Sequence, residues 1–234
     1  KTFTIEKKIN LFDALSLLTW SFQVHQNHAY VISSDLPGVT EYTFPDFKKG
    51  RQISFRQLKV TLFKEGALES AVDPEKNKLF VEVGMVDLKD RYAIVKIDLR
   101  TFSIEKKIYL PDGGLALLWI PNTRSILVAS FFHKKIYELN GDRLEIKRIL
   151  MGPRICRNMI YDEKRNLLYL GGYGSGDLWI VDYRSGKKVG NFWVGRKVSS
   201  LFYEKQKDEL FIGSSRAIFK VQLDKFLKAS LLFF

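Results

Sequence analysis

Thr2 to Leu11 reads TFTIEKKINL, and Thr101 to Leu110 reads TFSIEKKIYL, with eight of the ten positions identical. Such a duplication marks a chain built by repetition, so the repeats are sought before anything else. Working outward gives a unit of about 41 to 50 residues. A short apolar run recurs as Ala29–Ile32, Leu79–Val83, Ile126–Ala129, Leu167–Leu170 and Leu210–Gly213. An alternating strand follows each: Val39–Phe44, Ala93–Leu99, Lys135–Asn140, Leu178–Tyr183 and Ile218–Leu223. A further strand precedes each run and ends in a polar turn, as at Gln26-Asn27, Asp73–Asn77, Pro121–Thr123, Asp162–Asn166 and Glu204–Asp208. β-branched and aromatic residues fill the strands, while Asp, Asn, Gly and Pro supply the turns. No segment sustains an apolar period of 3.6, so helices are expected to be few.

Each unit therefore reads as four strands, a to d. One such unit cannot bury both its faces, but several packed around an axis can. The fold class predicted is all-β, a β-propeller of five four-stranded blades in a single domain spanning 1–234. The repeats run at about 12–62, 63–110, 111–152, 153–195 and 196–234. Residues 1–11 are an extra outer strand. It either closes a five-bladed ring on the last repeat, which we favour, or belongs to an earlier blade of a six- or seven-bladed ring. The stretch Phe226–Phe234 fits either a last strand or the first turns of an apolar helix.

The fourth repeat carries a family likeness. Gly152-Pro153-Arg154 is followed by YDEKRNLLYLGG (Tyr161–Gly172), LWIVD (Leu178–Asp182) and SGKKV (Ser185–Val189). This resembles the YVTN and NHL-type propeller repeats, as do Asp73–Val83 and Ile97–Thr101 of the second repeat. The other repeats keep less of the pattern. No WD dipeptide ends the strands, which sets the WD40 type aside. The resemblance implies a fold and leaves the task open, because this superfold hosts scaffolds and enzymes alike.

The 234 residues are 46% hydrophobic and 14% aromatic, a globular composition. A chain of this length buries about 70% of its unfolded surface and needs no metal or disulfide staple. The single cysteine, Cys156, rules out an internal disulfide. No signal peptide is visible, and no apolar run approaches the roughly 20 residues of a membrane span. The first residue is Lys1 rather than methionine, and the chain opens inside a strand-like segment. A processed chain or fragment is expected, so the compartment stays open, a periplasmic or extracellular one included, and any membrane attachment would lie outside this sequence.

Lys and Arg total 38 against 26 acids, a net charge of +12. That balance favours anionic partners. In a propeller the d-to-a connections and the b-to-c loops share one face. On it the sequence places Lys64, Asp112, Arg154, Arg157, Arg196 and Lys197 from the former, and Asp87, Arg91, Phe132, His133, Tyr173 and Arg216 from the latter. Guanidinium forks there suit carboxylates or phosphates. The opposite face reads as short solvated turns.

Motifs for chemistry are few. His25 and His28 flank a turn without a third ligand, so no metal site is assigned. Cys156, at the start of an inner strand, reads as buried filler. Gly171–Gly176 is followed by a strand rather than a helix, so it reads as a hairpin loop and not a phosphate cradle. The pairs Lys106-Lys107 and Lys147-Arg148 fall on d strands, where charge guards a free edge. No catalytic residue, metal or cofactor is assigned. The expected function is a non-enzymatic interaction scaffold that holds an acidic protein partner on its basic face, within a larger complex. A lactonase- or lyase-like enzyme built on His133, Asp87, Asp112 and Arg154 is the alternative, and a nucleic-acid-binding module the third.

Overall fold

The computed structural model describes residues 19–33, 38–55, 66–84, 92–114, 116–131 and 133–230. It is all-β apart from a short 3-10 turn and one terminal helix. Two compact units divide the chain, Lys1–Tyr109 and Leu110–Phe234. The extra strand expected at 1–11 lies outside the described residues.

The first unit holds two antiparallel sheets. One is β1 (Thr19–His25), β2 (His28–Ser33), β3 (Gly38–Thr43) and β4 (Lys49–Ser54), paired in that order. The other is β5 (Gly66–Asp73), β6 (Lys78–Gly84), β7 (Tyr92–Asp98) and β8 (Ser103–Leu110). The duplicated decapeptide TFSIEKKIYL thus supplies β8, a fourth strand paired to β7. Tyr30, Ile32 and Val39 of the first sheet share one buried cluster with Leu79, Val81, Val95 and Ile97 of the second.

The second unit holds three sheets. They are β9 (Leu117–Ile120) to β12 (Ile146–Met151), with β10 (Ser125–Ala129) and β11 (Lys135–Asn140) between; β13 (Cys156–Asp162), β14 (Leu167–Gly172), β15 (Asp177–Asp182) and β16 (Lys188–Trp193); and β17 (Ser200–Glu204), β18 (Glu209–Gly213) and β19 (Ile218–Gln222). Each of the five sheets is built from strands consecutive in the chain. The fifth has three described strands, and after Gln222 the chain enters α1 (Leu223–Ser230). Of the two expectations for the terminal stretch, a helix is what forms through Ser230. Its start is held by the Asp224 N–H, which donates to Asp208 Oδ2 at 3.2 Å, and Leu223 is buried. No helix among the described residues is long and apolar enough to cross a membrane.

One backbone bond shows that the repeats are structurally equivalent. The residue that follows strand c donates its N–H to a carbonyl of the a-to-b turn in every sheet: Phe44 to Asn27, Leu99 to Asn77, Gly141 to Arg124, Tyr183 to Asn166 and Leu223 to Asp208, all at 2.8–3.0 Å. Each of those turns carries a left-handed residue: Gln26, Asn77, Arg124, Asn166 and Asp208 have φ of 48–55°. Asn and Asp visit that region at low cost, which is why three of the five are Asn or Asp.

A second device recurs in the first and third sheets. Arg51 on β4 donates from Nε and Nη2 to Glu41 on β3, at 2.8 and 2.7 Å. The same guanidinium donates to the carbonyls of Arg100 and Leu99 in the next sheet and lies 4.6 Å from the Phe102 ring centre. Arg148 on β12 does likewise: Nε to Glu138 Oε2 at 2.6 Å, Nη1 and Nη2 to the carbonyls of Arg184 and Tyr183, and 5.0 Å from the Tyr183 ring. Lys147 also pairs with Glu138, at 3.0 Å. Lys147 and Arg148, expected as edge guards, are thus joined to a buried carboxylate. The reason is cross-strand register, since Glu138 on β11 stands directly opposite Arg148.

Candidate functional site

The loop face is best defined in the second unit. Each b-to-c loop donates a backbone N–H to the connection that enters its own sheet. Phe131 bonds Gly113, Tyr173 bonds Ile155 and Ser215 bonds Arg196, at 2.7–2.9 Å. Lys197 N–H then reaches back to the Tyr173 carbonyl of the preceding sheet, at 3.1 Å. The two loop types therefore share one face, as the repeat pattern predicts. Tight glycines make this possible. Gly176 and Gly195 have φ of +79° and +106°, and a Cβ on Gly176 would stand 2.9 Å from the Gly195 carbonyl oxygen. The glycine-rich segment is the β14–β15 hairpin loop.

On this face Arg154, Arg196, Lys197 and Arg216 are exposed, and Arg157 and Tyr173 are half-buried. The Arg157 guanidinium lies 5.2 Å from the Tyr173 ring centre, and that of Arg216 lies 5.3 Å from the exposed Trp193 ring. None of these five cations forms an ion pair with a described carboxylate. At the other end of the strands three cations are taken by buried or partly buried acids. Arg148 and Lys147 serve Glu138, and Arg165 serves Asp162, Asp208 and Asp224. The five loop-face cations differ from these in meeting no described carboxylate.

Asp112 is buried, being 5% exposed. It accepts the Ser130 hydroxyl at 2.8 Å and faces Nδ1 of His133, whose own N–H donates to Ser130 Oγ at 2.9 Å. Asp112 thus contacts His133, whose side chain is 61% exposed. A buried carboxylate on Nδ1 orients an imidazole with Nε2 outward. The Ser130 hydroxyl donates to the carboxylate, so the serine–imidazole contact that nucleophilic catalysis needs is not made here. Burial pushes the Tyr137 hydroxyl above its usual range, and Asp112 adds to that. Lys64, Asp87, Arg91 and Phe132 lie outside the described residues.

Cys156 is fully buried, and that burial pushes its thiol up to about 12. It is filler, in line with the sequence. Thiol reagents at pH 8 are expected to leave the folded chain unmodified and to react at Cys156 once it is unfolded in urea, which mass spectrometry resolves. Rapid labelling of the folded chain would contradict this burial. In the first unit, His25 Nε2 contacts Asn77 Oδ1 at 2.8 Å and His28 Nε2 stands 3.9 Å from Glu41.

Two features escaped sequence reasoning. The Glu–Arg clasps had a signal, because Glu41/Arg51 and Glu138/Arg148 are both ten residues apart in equivalent positions. The Arg165 cluster had none, since its acids come from three separate segments.

No family model matches the chain, and no curated protein matches it. Solved structures do: 1096 chains are similar in fold, so the architecture is too widely used to name a task. Among them is hydrazine synthase of Kuenenia stuttgartiensis, with a TM-score of 0.69 and 15% identity over 89% of this chain. The chain spans 58% of that neighbour's length. At such identity the likeness shows the fold alone. With the five sheets it establishes the class: an all-β chain of the β-propeller type.

Proposed function

We propose that this chain, a propeller of YVTN/NHL-like repeats, is a non-enzymatic interaction module that holds an acidic segment of a protein partner on its loop face. The observation that carries this reading is the set of five cations, Arg154, Arg157, Arg196, Lys197 and Arg216, that make no ion pair with a described carboxylate. Guanidinium groups bind carboxylates through two parallel hydrogen bonds. Tyr173 and Trp193 beside them supply apolar contact area.

The test is binding of a labelled Asp/Glu-rich peptide, followed by anisotropy. Changing Arg154, Arg157 and Arg196 together to Ala is expected to weaken it by about 10-fold or more, since roughly 1.4 kcal/mol corresponds to a decade. Lys106→Ala with Lys107→Ala, on β8, is expected to leave binding unchanged. Equal binding by the triple variant overturns the assignment. The two aromatic rings also suit base stacking, which favours single-stranded nucleic acid as the second reading. Tighter binding of an oligonucleotide than of the peptide, with a steep salt dependence, would put that reading first.

A further inference from the structure

A second site, independent of the loop face, lies near the a-to-b turns of the second unit. The inner strands β9, β13 and β17 each end there, and together they line a cavity of about 380 Å³. Leu118, Ile160 and Leu201 give it an apolar wall. Aromatic rings from all three strands join them: Trp119, Tyr161, and the pair Phe202 and Tyr203.

The rings are held in different ways. Tyr161 donates its hydroxyl to Asn166 Oδ1 at 3.2 Å, and Tyr203 donates to Asp208 Oδ1 at 2.9 Å. Both are thereby tied to the left-handed residues of their own turns. Trp119 has the Arg124 guanidinium 5.4 Å from its ring centre. Phe202, by contrast, is 60% exposed, a large apolar ring turned to solvent on an inner strand. Such a ring gains most from an occupant that covers it.

Two charges complete the lining, Glu163 and Lys205, from the turns of adjacent sheets. Both are exposed, and neither forms an ion pair with a described residue. The cavity volume is near the lower end of small-molecule sites, roughly 300–1,000 Å³. It suits one planar ring system and is too small for a helix or strand. An apolar, aromatic-walled cavity with one free anion and one free cation on its lining calls for a ring that carries an ammonium and a carboxylate.

We propose that this cavity binds a free aromatic α-amino acid, with the ring against Phe202, the ammonium at Glu163 and the carboxylate at Lys205. Calorimetry with L-tryptophan, tryptamine, indole-3-propionate and N-acetyl-tryptophan amide tests it. L-Tryptophan is expected to bind saturably and at least about 5-fold tighter than any of the other three, because each lacks a charge that the site engages. Phe202→Ala is expected to weaken it about 10-fold, in keeping with the loss of one stacking aromatic. Phe202 is exposed, so the variant should keep the wild-type circular dichroism. Glu163→Gln is expected to make L-tryptophan bind no better than indole-3-propionate, and Lys205→Gln no better than tryptamine. Absence of saturable binding up to about 10 mM, weaker than any specific small-ligand site of interest, overturns the proposal. So does unchanged affinity in Phe202→Ala. Tighter binding of the N-acetyl amide also overturns it and makes the occupant an aromatic side chain of a peptide. The Arg154/Arg157/Arg196 variant is expected to bind L-tryptophan normally, which separates this site from the loop face.

Discussion

Replacing Arg165 with Met is expected to lower the unfolding free energy by about 3–5 kcal/mol, the range found when one partner of a buried ion pair is removed. The Arg165 guanidinium is the hub of a cluster drawn from three segments. Its Nη1 donates to Asp162 Oδ2 at 2.6 Å, and its Nη2 to Asp208 Oδ2 at 2.5 Å and to Asp224 Oδ1. Asp162 is fully buried, and Asp224 sits in the first turn of α1. Methionine keeps most of the volume but leaves three carboxylates facing one another, and a buried carboxylate without its cation is strongly disfavoured. The pH dependence has a definite sign. Arg165 holds the Asp208 carboxyl below its usual range. That contribution is complete above the unfolded carboxyl pKa, about 3.9, and is lost as the pH falls below it. In Arg165→Met it is missing, so the gap between wild type and variant is expected to narrow as the pH falls through that range. Urea titrations followed by circular dichroism measure both effects. A loss below about 1 kcal/mol, the worth of an exposed pair, would show that water already satisfies the cluster.

The clasp at Glu138 gives the second large effect. Burial alone would push the Glu138 carboxyl up, but hydrogen bonds from Arg148, Lys147, Ser125 and Tyr183 outweigh it and hold the carboxyl at about 2. Ser125 Oγ reaches it at 2.8 Å and the Tyr183 hydroxyl at 2.9 Å. Glu138→Gln is expected to cost about 3 kcal/mol at pH 7, because one pKa unit corresponds to about 1.4 kcal/mol. The folded pKa is depressed, so the wild-type advantage is present above the ordinary value of 4.5. It shrinks as the pH falls from there to about 2, where wild type and variant should unfold at nearly the same urea concentration. A gap that stays constant over that window would mean that Glu138 acts through shape rather than charge. Arg148→Met tests the same clasp from the other side. It also frees the Tyr183 and Arg184 carbonyls, so it should cost at least as much as Glu138→Gln.

The two clasps and the Arg165 cluster differ in how far they could be read from sequence. Glu138 and Arg148 face each other because a c-to-d hairpin of fixed length sets their register. Such a pair leaves a trace as a constant spacing in two repeats. Arg165, Asp208 and Asp224 are brought together by the packing of neighbouring sheets and a terminal helix, which leaves no local pattern. Asp112 is a similar case. Its neighbours in sequence are loop residues, yet it is buried, because Ser130 and His133 fold over it from the β10–β11 connection.

What the amino-acid order determined by itself is the periodic part: the recurring unit, the strand alternation and the polar turns between strands. These depend on residues close in sequence, where side-chain alternation and turn stereochemistry act directly. Tertiary structure decided which charges are free. Basic residues stand at both ends of the second unit. Only packing shows that Arg148 and Arg165 are already paired with buried acids, while Arg154, Arg157, Arg196, Lys197 and Arg216 meet no described carboxylate. A charge's availability depends on the three-dimensional distance to its nearest opposite charge, and that distance is set between sheets rather than along the chain.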